Sequence, residues 1–82
     1  MKIEVTKKDI KNGVLGSCTH CPIALAVKRK LHKRVNVSLY IETLRPRREY
    51  GLSEKANTFI DQFDRGKKVK PFTFEAKLIP KL

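Results

Sequence analysis

The sequence predicts an α+β fold, a small two-layer sandwich with two helices packed on one face of a three- or four-stranded sheet. Two kinds of apolar pattern predict it. Apolar residues alternate with polar ones over residues 2–6, 35–42 and 72–78, as in strands with one buried face. They recur at helical spacing after Pro22 and after Ser53, as in helices with one apolar stripe.

The segment after the first strand predicts a short capped helix. Residues 6–9, Thr-Lys-Lys-Asp, have the form of a capping box with a shorter acid at its fourth position. They predict a single helical turn through Ile10. Asn12 and Gly13 then end the turn, because both residue types tolerate positive φ.

The first long helix begins at Pro22, because proline suits the first helical position. Ile23, Val27 and Leu31 form its apolar stripe. A strand over residues 35–42 follows, with an apolar face made of Val35, Val37, Leu39 and Ile41.

The second half of the chain predicts a basic loop, a helix and a strand. Residues 43–51 are a loop or a ragged edge strand, since Pro46 cannot donate to a central ladder. Ser53 caps the second helix and Gly66 ends it. Residues 72–78 form the last strand. The apolar stripe of the second helix is Ala56, Phe59, Ile60 and Phe63.

Length and charge bound the class of protein. The 82 residues suit a single domain over residues 1–82, and 19 Lys and Arg against 8 Asp and Glu give a net charge of +11. This imbalance predicts a polyanionic partner, although a merely solvated basic surface is the alternative. No apolar run is long enough to span a bilayer and no secretory signal is visible, so we expect no membrane partner, a cytoplasmic location in the host cell and reduced cysteines.

A Cys-x-x-Cys motif holds Cys18, His20 and Cys21 and has three interpretations. A structural zinc site needs four ligands, and His32 is the only other histidine. A thiol-redox site favours a cysteine at a helix N-terminus, but here Pro22 follows the second cysteine. The third interpretation is structural: Cys21 closes the helix onto the sheet, and Cys18 packs under an apolar loop at residues 14–15. We therefore expect no bound metal and no cofactor, with these three residues as the candidates if a metal is held.

Three basic clusters are the candidate binding residues for nucleic acid or a protein partner. Arginine suits bidentate phosphate contacts and lysine acts as a point charge. Few aromatic residues lie outside the predicted core, which favours binding to the phosphate backbone over base recognition. The clusters are Lys28, Arg29, Lys30, Lys33 and Arg34; Arg45, Arg47 and Arg48; and Arg65, Lys67 and Lys68.

No arrangement of residues typical of an enzyme is present in the sequence. There is no paired-carboxylate signature, no serine nucleophile motif and no phosphate-binding glycine loop. We therefore predict a protein that is not an enzyme.

Three segments resemble a group of small uncharacterised proteins from bacteriophages and prophages. They are residues 18–26, Cys-Thr-His-Cys-Pro-Ile-Ala-Leu-Ala; residues 59–66, Phe-Ile-Asp-Gln-Phe-Asp-Arg-Gly; and residues 71–75, Pro-Phe-Thr-Phe-Glu. They cover the cysteine helix, the second helix and the last strand. The resemblance implies a phage accessory protein and brings no activity, catalytic residue or cofactor with it.

Together these observations predict a small basic phage-type accessory protein that binds nucleic acid through the phosphate backbone. The alternative is a phage-encoded inhibitor whose basic edge binds an acidic surface of a host nuclease or defence complex. Either protein is a monomer or a homodimer.

Overall fold

The structure, a computed structural model, describes residues 1–80 and confirms the α+β class. Helices and antiparallel strands follow one another along the chain, with more short elements than the sequence pattern predicts. In chain order they are β1 (Lys2–Val5), α1 (Lys7–Asn12), α2 (Pro22–Leu31), β2 (Val35–Val37), β3 (Tyr40–Thr43), β4 (Arg48–Gly51), α3 (Glu54–Asp64), β5 (Phe72–Glu75) and β6 (Lys77–Leu78).

The strands form two antiparallel sheets, where the apolar pattern predicts one. One sheet has the order β2-β3-β4-β6 and the other pairs β1 with β5. The predicted strand over residues 72–78 divides between the two sheets, because its first part pairs along one edge and its last part pairs along the other edge. Ala76 N–H donates to Met1 C=O at 2.8 Å, towards β1, and Ile79 N–H donates to Glu49 C=O at 2.8 Å, towards β4. The C-terminal segment therefore joins the two sheets.

The predicted eight-residue strand over residues 35–42 is wrong, because the chain reverses within it. β2 pairs with β3 so that Val37 lies opposite Ile41, and Leu39 is at the apex with 79% of its surface exposed. Residues two apart in a strand point to the same face. Because the turn is centred on Leu39, the inward-facing residues before and after it are still an even number of positions apart. Alternation therefore continues through the turn, and Val35, Val37, Ile41 and Thr43 are all buried.

Residues 43–51 contain a regular strand, which the sequence pattern describes only as a loop or a ragged edge. β4 lies between β3 and β6, and Tyr50 pairs with both Ile41 and Leu78. Pro46 is compatible with this arrangement because it lies in the turn before β4 and not in the ladder.

The helix start signals are confirmed. Thr6 Oγ1 accepts from Asp9 N–H at 3.2 Å, and Asp9 Oδ2 accepts from Thr6 N–H at 2.9 Å, which completes the capping box of α1. Ser53 Oγ accepts from Ala56 N–H at 3.2 Å at the start of α3. Gly66 follows α3 with φ +74, the left-handed region that favours glycine. Within residues 1–80, none of the helices has the length and apolar content to cross a membrane.

Gly13 ends α1 for a different reason from the one predicted. Its φ is −68, which any residue adopts, so positive φ is not its role. A Cβ at this position would lie 2.6 Å from both Cδ and Cγ of Pro22. The missing side chain therefore allows the end of α1 to approach the start of α2.

The core lies between α2, α3 and the inner faces of the sheets. Ile3, Val5, Ile23, Val27 and Ile41 are completely buried. α2 contacts α1, β1 and β2, so it spans the two sheets. On the α3 side, Phe59 stacks with Phe63 and Phe72 stacks with Phe74, and a tilted contact between Phe59 and Phe72 joins the two pairs.

Replacement of Gly13 by alanine tests the close approach to Pro22. We expect Gly13→Ala to lower the free energy of unfolding by about 1–3 kcal/mol, because the ring or the backbone must move. Gly51→Ala is the control, since its nearest neighbour, Lys77 O, lies at an ordinary 3.9 Å. Urea denaturation measures both, and equal midpoints for the two variants would refute a steric role for Gly13.

Candidate nucleic-acid interface

Five of the predicted binding cations meet at one end of the four-stranded sheet. Lys33 and Arg34 directly precede β2, Arg45 and Arg47 lie in the turn between β3 and β4, and Arg48 begins β4. β2 begins where β3 ends, with Val35 opposite Thr43, and Thr43 lies opposite Arg48. Antiparallel pairing therefore brings the last two cations of the first cluster, Lys33 and Arg34, to the second cluster, which is distant in sequence. We call Lys33, Arg34, Arg45, Arg47 and Arg48 the basic end.

A cleft of about 350 Å³ opens between the two segments of the basic end. The segment after α2 and the segment after β3 form its two sides. Within residues 1–80, no acidic side chain lines it. The residues that line this basic cleft are His32, Lys33, Arg34, Leu44 and Arg45.

Most cations of the basic end are exposed and have no partner among residues 1–80. Arg47 Nη2 forms an ion pair with Glu42 Oε2 at 3.1 Å. Within the described chain, the other four side chains form no hydrogen bond or ion pair. Their charges are thus available to an external anion. These four are Lys33, Arg34, Arg45 and Arg48.

The cations within α2 have intramolecular partners. Lys28 Nζ donates to Thr19 C=O, and Lys30 Nζ donates to Lys2 C=O at 2.7 Å. Arg29 Nη2 donates to Glu4 C=O at 2.9 Å. Two of these contacts satisfy carbonyl groups on the edge of β1 that faces away from β5. Lys28, Arg29 and Lys30 therefore contribute to the fold itself.

Arg29 also neutralises a buried carboxylate. Its Nη1 lies 2.6 Å from Asp9 Oδ1 and its Nη2 lies 3.0 Å from Oδ2, and the Asp9 side chain is only 5% exposed. Burial by itself raises the pKa of Asp9, but the hydrogen bonds from Arg29 and from Thr6 outweigh it and hold that pKa below its ordinary value. The same contact raises the pKa of Arg29. This pair links α1 to α2.

The third cluster lies at the other end of α2. The Asp64 carboxylate at the end of α3 accepts from Gly16 N–H at 3.1 Å, so Arg65, Lys67 and Lys68 are near the loop that precedes α2. The basic end follows the last residue of α2. The 10 residues of α2 have a length of about 15 Å, so the structure does not bring the third cluster together with the other two.

The two cysteines have different environments. Cys21 is buried and its Sγ accepts from Ala24 N–H at 3.4 Å as the N-cap of α2, which agrees with a structural role. Burial raises the pKa of its thiol, which opposes thiolate chemistry. The expected burial of Cys18 is wrong: its side chain is exposed, as are those of Val14 and Leu15. The backbone of Cys18 is held to β2, because Val37 N–H donates to Cys18 C=O at 2.7 Å.

No candidate metal centre emerges among residues 1–80. Groups of three or more Cys, His, Asp or Glu side chains that suit a metal ion do not occur there. His20 Nδ1 instead lies 2.8 Å from Thr19 Oγ1. Cys18, His20 and Cys21 therefore do not form a ligand set of adequate number.

Two features of the site escape sequence analysis. His32 and Leu44 line the basic cleft, yet neither belongs to a charge cluster, and only the strand register reveals them. Asp9 is the partner of Arg29 although 20 residues separate them. An acid within a capping box signals a helix start and carries no information on a distant partner.

Comparison with known proteins found no matching family model, no similar curated protein and no similar solved structure.

The Asp9–Arg29 pair predicts a pH-dependent stability. The pKa of Asp9 in the folded chain is lowered from 3.8, so its contribution is complete above that value and is lost as the pH falls through the folded pKa. Asp9→Asn should therefore reduce the loss of unfolding free energy below about pH 4. Urea midpoints from pH 2 to pH 6 measure this, and identical pH profiles would contradict it.

Removal of the guanidinium isolates the same contact at neutral pH. Arg29→Ala should lower the free energy of unfolding by about 1–3 kcal/mol, because Asp9 then loses its charged partner in a buried place. Arg65→Ala is a matched control. It removes an arginine paired at 3.2 Å with the exposed Asp61, and such pairs contribute about 0–1 kcal/mol.

Proposed function

We propose that this chain is a small nucleic-acid-binding protein that contacts the phosphate backbone through its basic end and catalyses no reaction. The observation that carries the proposal is the convergence of Lys33 and Arg34 with the cluster of Arg45, Arg47 and Arg48 at one end of the four-stranded sheet. Four of its cations have no intramolecular partner in the described chain. Such a surface attracts phosphates and releases counterions when it binds them.

The type of recognition follows from the side chains present. Arginine and lysine dominate the basic end, and these residues suit phosphate oxygens. Tyr40, which is 48% exposed, lies at the start of β3 and so at the opposite end of that strand. Among residues 1–80, no exposed tyrosine or phenylalanine ring for base stacking therefore belongs to the basic end. Binding is expected to depend on salt and to vary little with base sequence.

The proposed biological setting rests on the resemblance of three segments to phage proteins. In this proposal the chain is a phage accessory protein that acts in the host cytoplasm. Nucleic acid is abundant there, and a net charge of +11 favours association with it.

A protein partner is the second candidate, and one observation favours it. Beside the basic end lies a cleft of about 640 Å³ that combines cations with apolar residues, including Leu78 and Ile79, which are 53% and 36% exposed. Protein interfaces combine arginine with an apolar centre in this way. In this alternative the chain inhibits a host nuclease or defence complex by covering an acidic surface. The cleft is lined by Pro46, Arg47, Arg48, Glu49, Leu78, Ile79 and Pro80.

Salt dependence of binding tests the first proposal. Fluorescence anisotropy with labelled DNA and RNA should show affinity falling roughly a hundredfold from about 50 to 200 mM salt, as expected if about four phosphates are contacted. A triple variant, Lys33→Gln, Arg34→Gln and Arg48→Gln, should bind more weakly and with a smaller salt slope.

The matched control removes the same charge elsewhere. Arg65, Lys67 and Lys68 are exposed and lie near the loop that precedes α2, at the other end of that helix from the basic end, and their replacement by glutamine should change affinity far less. Equal losses in the two triple variants would show that net charge alone attracts the nucleic acid. No binding of either nucleic acid at low salt, together with nuclease-resistant capture of a host protein, would favour the inhibitor.

A further inference from the structure

The basic cleft differs from the rest of the basic end because its cations surround a concave space. Lys33 and Arg34 approach it from the segment after α2, and Arg45 approaches from the segment after β3. Leu44, which is 45% exposed, supplies an apolar part of the wall. The volume of the basic cleft, about 350 Å³, lies at the low end of the range for small-ligand sites.

Unusual backbone conformations also coincide with this cleft. Among residues 1–80, only two non-glycine residues have positive φ: His32 at 54 and Arg45 at 60. Both line the basic cleft. His32 ends α2 in the left-handed region, a position where glycine or asparagine is usual. Strained conformations of this kind occur preferentially at functional sites, and here they set the two sides of one cleft.

The charge of the cleft indicates the charge of its ligand. Three cationic side chains line it, and Glu42, the acid closest to it in the strand register, is paired with Arg47. An internal phosphodiester carries one negative charge. A terminal phosphate monoester carries about −1.5 to −2 at neutral pH and has three acceptor oxygens. The monoester thus matches three converging donors better.

We propose that the basic cleft binds the terminal phosphate monoester of a nucleic-acid strand, so that the chain recognises strand ends; this rests on the proposed function. Arg34 and Arg45 donate to the phosphate oxygens from opposite sides, and Lys33 adds a third charge. Leu44 contacts the sugar of the terminal nucleotide. Arg47 and Arg48, beside the cleft, contact the phosphates that follow along the strand.

Oligonucleotides that differ only at their ends test this assignment. Fluorescence anisotropy compares the full chain with one sequence bearing a 5′-phosphate, a 3′-phosphate or hydroxyl groups at both ends. A strand one nucleotide longer with hydroxyl ends controls for the added charge. We expect one of the phosphorylated strands to bind roughly ten- to a hundredfold more tightly than both hydroxyl strands, the range of a charge-assisted contact, and the favoured strand identifies the end.

Two variants on different segments place the effect in the cleft. Arg34→Ala and Arg45→Gly should each reduce the preference for a terminal phosphate severalfold, and glycine tolerates the φ of 60 at position 45. Lys67→Ala, at the far end of α2, should retain it. Equal affinity for phosphorylated and hydroxyl ends would overturn the proposal and leave the proposed function intact, whereas absence of all binding would overturn both. A preference that survives in both cleft variants would also overturn it.

Discussion

The antiparallel pairing of β2 with β3 is the constraint on which both the core and the candidate interface depend. On its inner face it places Val35, Val37, Ile41 and Thr43 together as buried residues. At its open end it places Lys33 and Arg34 beside the turn that holds Arg45. The register that buries apolar side chains is therefore the register that gathers the cations. A register shift of one residue would move the buried apolar set to the opposite face of the sheet.

The cations are used in two different ways, and their intramolecular partners distinguish them. Arg29 and Lys30 donate to carbonyl groups on the open edge of β1, and Arg29 also neutralises Asp9. These contacts join α2 to α1 and to the smaller sheet. Lys33, Arg34, Arg45 and Arg48 remain exposed beyond the end of α2. Self-repulsion among them costs stability that the fold must supply, and a bound polyanion would relieve it.

The predictable part of the fold is the part governed by local signals. Pro22 begins α2, Ser53 caps α3 and Gly66 ends it, because each of these residues acts on its own few neighbours. The apolar alternation also identifies the buried face of β2 and β3 correctly. It misses the turn at Leu39, since an apolar apex residue preserves the period of two. It also misses that residues 72–79 pair first with β1 and then with β4, because the pattern of side chains does not determine which edge of a strand is paired.

The candidate site was predictable as a set of charges but not as an arrangement. All three basic clusters are visible in the sequence, yet the structure joins only parts of two of them. Arg29 illustrates why: its role depends on Asp9, a residue 20 positions away whose local pattern indicates only a helix start. The cysteines show the converse, since Cys21 caps α2 as its neighbour Pro22 suggests, whereas Cys18 is exposed. Long-range partners decide which charges are free.

Mapping of the bound nucleic acid by NMR tests the central claim most directly. An isotope-labelled sample is titrated with a short oligonucleotide, and backbone amide shifts are followed residue by residue. Binding through the basic end predicts the largest changes at residues 32–34 and 44–48, with little change at residues 65–70 or in the loop at residues 14–20. Changes concentrated at residues 65–70, or spread evenly over all exposed lysines and arginines, would contradict it.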